Sequence, residues 1–170
     1  MAGRSRAQPD AASIEKATGR DIELLAGLIR SSFTDVAERF GLTPHNCPKH
    51  PSNCTPQWIR SDLGRGVRYY VLRAGVTAAG CVGVEKAAPT TCYMERLAVL
   101  AAHRGKGYGS QLARHAMQTA RDWDASSVEI GIIAADTRLK AFYASLGFQE
   151  GKTKTFPHLP FQVAFMHIAV

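Results

Sequence analysis

The chain has 170 residues, 45% of them hydrophobic and 21% charged, which is the balance of one ordinary folded domain long enough to bury a core. No stretch approaches the roughly 18 consecutive apolar residues that a membrane span needs. The net charge of +7 is spread over scattered residues such as Arg60, Arg73, Arg114 and Lys152 rather than gathered in a run with interleaved aromatics; this pattern favours general solubility or a polyanionic ligand and disfavours a nucleic-acid partner.

Residues 1–12 carry charge but no apolar core, so they read as a disordered tail and not as a signal peptide, with a cytoplasmic location as the default. Residues 13–170 read as a single domain. Ser13 to Ala17 alternates and suits an edge strand. Thr18-Gly-Arg-Asp21 resembles a capping box with Asp in the acidic position. Ile22, Leu25, Ala26, Ile29, Phe33, Val36, Ala37 and Phe40 follow at helical spacing, which predicts a helix broken near Ser31 and Ser32 and ended by Gly41.

Leu42 to Thr55 is the least regular segment. Its three prolines exclude a continuous helix, and His45-x-Cys47-x-x-His50-x-x-x-Cys54 raises the question of a metal. That spacing matches none of the common zinc patterns, so no metal is assigned; a disulfide is disfavoured in a cytoplasmic protein. A short helix is expected over Gln57 to Arg65, stopped by Gly64 and Gly66. Tyr69 to Arg73, Gly80 to Glu85 and Tyr93 to Val99 read as three strands with short turns, hence an antiparallel meander, in which Cys81 and Cys92 are small core residues.

After the last of these strands the hydrophobic period changes from two to helical. Leu112, Ala113, Ala116, Met117, Ala120 and Trp123 form one apolar stripe. Between the two patterns lies Arg104-Gly-Lys-Gly-Tyr-Gly109. Its glycines permit a sharp turn with exposed N–H groups, and the new helix aims its positive dipole end at the same point, which makes an anion site suited to a pyrophosphate. No Gly-Lys-Ser/Thr follows at the required spacing, and the stretch does not complete a dinucleotide fingerprint. Ser127 to Ile133 is a β-branched strand; with a helix before it, it is expected to lie parallel to Tyr93 to Val99. Asp136 to Leu146 reads as a helix with Asp136 as N-cap and Gly147 as its stop. Phe148 to Thr155 and Phe161 to Val170 read as the last two strands, with Pro157-His158-Leu159-Pro160 between them.

Arg104-x-x-Gly107-x-Gly109, preceded by Leu97-Ala-Val99 and followed by Phe142-Tyr143-x-x-Leu146-Gly147-Phe148, resembles the acyl-CoA-binding core of the GNAT superfamily of N-acetyltransferases. The motifs stand in that family's order and spacing, and the likeness runs from about Tyr69 to the C-terminus. It implies an α/β (α+β) fold with a mixed, mostly antiparallel sheet of six to seven strands, splayed between two parallel central strands and flanked by about four helices. It implies acetyl-CoA as cosubstrate, with the pantetheine arm lying along Leu97, Ala98 and Val99 and the pyrophosphate held by Arg104, Gly105, Lys106, Gly107, Tyr108, Gly109 and Ser110. Asp136 stands where the family usually has Asn.

The resemblance also implies chemistry. Tyr143 matches the tyrosine that faces the CoA sulfur and is the expected general acid; the plainer reading is a core tyrosine with its hydroxyl tied off. Glu95 shares strand parity with Leu97 and Val99 and is the expected general base, directly or through water, with a salt bridge to an arginine as the plainer reading. Val99 N–H is the expected oxyanion donor. Glu85 is the second candidate base, and His45, His50 and His158 are candidate acceptor contacts. The implied activity is acetyl transfer to a primary amine, on a small molecule or peptide, by direct attack. The alternative is a GNAT-like module that binds acyl-CoA or nucleic acid without transfer. The positive charge weakly disfavours polycationic acceptors. A homodimer through the last strands is a further expectation.

Overall fold

The capping box forms as read: Thr18 N–H donates to the Asp21 carboxylate at 2.8 Å, opening a helical turn that leads into α1 (Ile22–Ser32). The helix breaks at Phe33, after which α2 (Thr34–Arg39) starts on a new axis. The computed structural model describes residues 12–170. The expected tail lies outside the described residues, apart from Ala12, which is already the first residue of β1 (Ala12–Lys16). Next come α3 (Pro56–Gly64), β2 (Arg68–Ala74), β3 (Thr77–Ala88), β4 (Thr91–Val99) and α4 (Tyr108–Asp122). The chain ends with β5 (Ser127–Ile133), α5 (Thr137–Ser145), β6 (Gln149–Thr155) and β7 (Gln162–Ala169).

The seven strands form one sheet in the order β1-β2-β3-β4-β5-β7-β6. Every neighbouring pair is antiparallel except β4 with β5, which is parallel. The expected architecture therefore holds. The break at Phe33 makes five α-helical segments where about four were expected.

Helices cover both faces, and β2 shows why its run is apolar throughout. Tyr69 and Val71 join Leu25, Ile29, Ile59 and Cys81 under α1 and α3. Tyr70 and Leu72 join Leu112, Ala116, Val82 and Val128 under α4. Gly80 marks the tightest approach within the sheet, since a Cβ there would sit 2.4 Å from the Ala98 carbonyl oxygen.

The sheet opens in its middle. β4 and β5 pair only at Thr91 with Ser127, Cys92 with Val128 and Tyr93 with Glu129. Beyond that point β4 bends: Arg96 takes a left-handed conformation with φ 50°, and the register with β3 slips between Cys81 and Gly83. A non-glycine residue there costs of order 1–3 kcal/mol and persists only when its surroundings hold it. Asp62 does the holding. Its carboxylate, 2% exposed, accepts from Arg96, from Arg65 and from the Tyr69 hydroxyl at 2.6 Å, while Arg96 also donates to that hydroxyl at 2.7 Å. Removing the acid leaves two guanidinium groups facing a buried void. Asp62→Ala is expected to cost about 3–5 kcal/mol, read as a lower denaturant midpoint, with little loss signifying that the bend is held by packing alone.

Candidate active site

Where β4 and β5 part there is a cleft of about 630 Å3, walled by both strands, by α2 and by α5. Its β4 edge is built to receive another strand. Leu100 N–H donates to the Ala79 carbonyl at 2.9 Å, and Gly80 faces Val99 in the antiparallel register, so the N–H and C=O of Val99 turn away from β3 and toward the gap. Leu97, two residues earlier on the strand, has the same parity. Leu97, Ala98 and Val99 all line the cleft.

Of the glycine-rich stretch only Arg104 lines the cleft; Gly105 to Ser110 do not, although Gly109 abuts Val99 and Phe142 of its wall. Gly105 and Gly107 have φ of 76° and 81°, which only glycine adopts without strain, and Gly107 is the N-cap of α4. No side chain caps this helix. The N–H groups of Tyr108, Gly109 and Ser110, which a helix start leaves without intrahelical partners, are therefore unclaimed by a cap. Gly109 lets the helix start close on α5: a Cβ there would meet the Phe142 ring at 3.4 Å. Lys106 is exposed. Arg104 is turned elsewhere. It donates to the Val99 carbonyl at 3.0 Å, to the Ser32 carbonyl at 2.7 Å and to Asp35 at 2.9 Å, tying β4 to the α1–α2 junction.

Glu95 lines the cleft one residue before the bend. Both readings of it hold in geometry. It is ion-paired with Arg65 at 3.2 Å, and it is half-buried. Burial first, then the hydrogen-bonded carboxyl of Glu85, push Glu95 up to about 7 against the pull of the Arg65 and Arg96 guanidinium groups. Glu85 lies just outside the cleft, paired with the same Arg65 at 3.2 Å, and the hydrogen bond it receives from Glu95 holds it below the usual glutamate range.

Tyr143 is 5% exposed on the opposite wall, its ring edge-on to Phe142 and Phe148 with centroids 5.1 and 5.3 Å away. Its ring belongs to the core, and no hydrogen bond to its hydroxyl is found among the described residues. Burial pushes the phenol up, which keeps it protonated throughout the neutral range. Asp136 caps α5 by accepting from Leu139 N–H at 3.1 Å, and its second oxygen meets Arg39 of α2 at 3.2 Å. The charge that distinguishes it from Asn is thus neutralised inside the protein.

The three histidines proposed for the acceptor side do not line the cleft. His45 and His158 are exposed, the latter beside Phe156. His50 is buried, bonded through Nδ1 to Ser52 Oγ at 2.8 Å and edge-on to Phe33, so it shapes the loop instead. No group of three His, Cys, Asp or Glu side chains is placed to hold a metal among the described residues, and Cys47 and Cys54 are buried free thiols. Sequence reasoning missed Arg39, Asp35 and Ser32 on α1 and α2, and Glu129 on β5, all of which line the cleft. The ion pairs that place the first two span 97 and 69 residues, a separation that no local pattern signals.

A model of the family described as Acetyltransferase (GNAT) family matches residues 33–148, more than half of the chain. An uncharacterized N-acetyltransferase of Mycobacterium bovis is 33% identical over 63 residues, which are 37% of this chain, and the chain spans 40% of the length of the curated relatives it matches. The ribosomal-protein-S18-alanine N-acetyltransferase of Escherichia coli superposes with a TM-score of 0.75 at 13% identity, covering 94% of each chain. A GNAT family acetyltransferase from Elizabethkingia anophelis with acetyl-CoA bound gives 0.65 at 15% identity, covering 95% of this chain and 99% of that one. At such identities the likeness to solved structures is one of fold.

The elevated Glu95 value has a measurable consequence. The folded state binds this proton more tightly than the unfolded chain, so stability falls as pH rises through the window from the ordinary 4.5 to about 7. The Tm of Glu95→Gln, measured against the parent from pH 5 to 8, is expected to gain on it with rising pH; a constant difference would place Glu95 in the ordinary range.

Proposed function

Since the chain belongs to the GNAT acetyltransferase family, we propose that it is an acetyl-CoA-dependent N-acetyltransferase in which a primary amine attacks the acetyl thioester directly. The observation that carries this reading is that the β4 edge of the cleft, with Val99 N–H turned away from β3, adjoins the uncapped start of α4, where Gly109 abuts Val99 and Phe142 of the cleft wall. The edge offers alternating donors and acceptors to an extended amide chain, and the helix start offers several N–H groups and a positive dipole end to a pyrophosphate. The residues present therefore fit acetyl-CoA, whose part in the chemistry is an activated thioester carbonyl.

What this chain supplies is position, one base, one acid and one backbone donor. Glu95, at the cleft wall, takes the proton that the amine must lose, directly or through water. A base titrating near 7 is ionised for much of the neutral range and is still strong enough to accept a proton. Val99 N–H, turned into the gap, is the donor for the carbonyl oxygen as charge builds on it. Tyr143, protonated and without an internal partner, gives its proton to the departing sulfur. Gly105, Lys106, Gly107, Tyr108, Gly109 and Ser110 hold the phosphates. Arg104 joins them only by leaving Asp35, since its guanidinium is already engaged. Asp136, neutralised by Arg39, supports the α5 wall of the site.

Two measurements test this. A ligand that binds only the native state stabilises it by about 2.7 kcal/mol at a hundredfold excess over its dissociation constant, so acetyl-CoA is expected to raise Tm in the parent protein and not in Gly107→Trp. Stabilisation without CoA release from any amine would favour the non-transferring acyl-CoA-binding module; no stabilisation would remove the cosubstrate. Tyr143→Phe is expected to lower kcat by about a hundredfold while leaving acetyl-CoA affinity nearly unchanged, and equal losses in both would count against the acid role.

A further inference from the structure

Arg65, the residue that follows α3, points one guanidinium group at three carboxylates: Asp62, Glu85 at 3.2 Å and Glu95 at 3.2 Å. Glu85 lies on β3 opposite Tyr93, and Glu95 lies opposite Gly83, so the two glutamates are diagonal neighbours on one face of the sheet. Of the two, only Glu95 lines the cleft; Glu85 stands outside it, its side chain as exposed as that of Glu95. Two carboxylates held side by side by one cation hold a proton between them more readily than either does alone.

We propose that Glu85 and Arg65 are positioning residues for Glu95, the two glutamates sharing one proton beneath the Arg65 guanidinium. The inference rests on Glu95 being the base of the reading above. In the transfer, an amine N–H bond breaks with its electron pair left on nitrogen, and an O–H bond forms on Glu95. That O–H, shared with Glu85, then breaks as the proton passes to water, which returns the pair to its starting charge. The charged and titratable groups around Glu95 are Arg65 and Asp62 from α3, Glu85 from β3, Tyr69 from β2, Arg96 on its own strand and Glu129 across the cleft on β5. The direction of each glutamate's displacement, Glu95 upward and Glu85 downward, is the one that sharing produces.

The test is a carboxyl-13C NMR titration of the full chain, with the Glu95 resonance assigned by its loss in Glu95→Gln. In the parent it is expected to titrate near 7. Glu85→Gln removes a neighbouring negative charge and is expected to move the midpoint down by about one unit; Arg65→Gln removes the cation and is expected to move it up, and Arg65→Lys restores most of the parent value. A group with a merely structural role does not shift the midpoint with these opposite signs. An unchanged midpoint in Glu85→Gln overturns the shared proton, and that variant decides alone if Arg65→Gln fails to fold, because it leaves the pair with Asp62 in place. The acid limb of kcat/KM for CoA release from acetyl-CoA and an amine is expected to follow the same shifts. Midpoints that move while the limb stays fixed overturn the assignment of Glu95 as base, and leave the shared proton supported.

Discussion

A carboxylate removed from water must find donors, and Asp62 finds three: two guanidinium groups and a phenol. The geometry of the open sheet depends on that demand. Arg96 can occupy the left-handed region on β4 because Asp62 and Tyr69 grip its side chain, and the slip in register with β3 comes at that point. A strand that continued flat would go on pairing with β5 and leave no cleft. The same acid engages Arg65, which reaches on to Glu85 and Glu95, so one buried charge sets both the shape of the gap and the electrostatics of its wall.

Opening a sheet also leaves backbone groups without partners, which a folded protein rarely tolerates. Around the cleft the accounts are settled unevenly. The Val99 carbonyl is satisfied by the Arg104 side chain standing where the next strand would have been. The α4 start has no cap, and the Ser32 hydroxyl and one His103 ring nitrogen are buried without a partner. Ser32 lines the cleft and His103 directly precedes Arg104, so a ligand seated there is placed to complete part of the hydrogen bonding.

Much of this was legible in the sequence. The switch from a period of two to helical spacing across Arg104 to Gly109 located the turn, and the β-branched run at Ser127 to Ile133 located the strand parallel to β4. The Asp136 cap and the Gly147 stop bounded α5 within a residue. What escaped was long-range and electrostatic. Nothing near Arg39 announces Asp136, and nothing near Arg65 announces Glu85 and Glu95; these contacts exist only after the chain has turned back on itself. The histidines of the proline-rich loop misled for the opposite reason. Their crowding is a fact of local composition, and the fold spends His50 on capping its own turn.

α2 is six residues long and buries only Ala37. Its place over the cleft is kept by two charged ties, Asp35 to Arg104 on one side and Arg39 to Asp136 on the other, each with one exposed guanidinium, and by an apolar patch in which Ala37, Val36 and Phe40 meet Leu42, Ile133, Leu159 and Phe161. The sheet beneath it is kept by apolar area. Screening ions weaken the first kind of attachment, whereas strongly hydrated salts excluded from protein surfaces reinforce the second. In concentrated sulfate the two effects therefore oppose each other at α2, where charged ties and apolar contacts hold the same short helix, while beneath it in the sheet they do not.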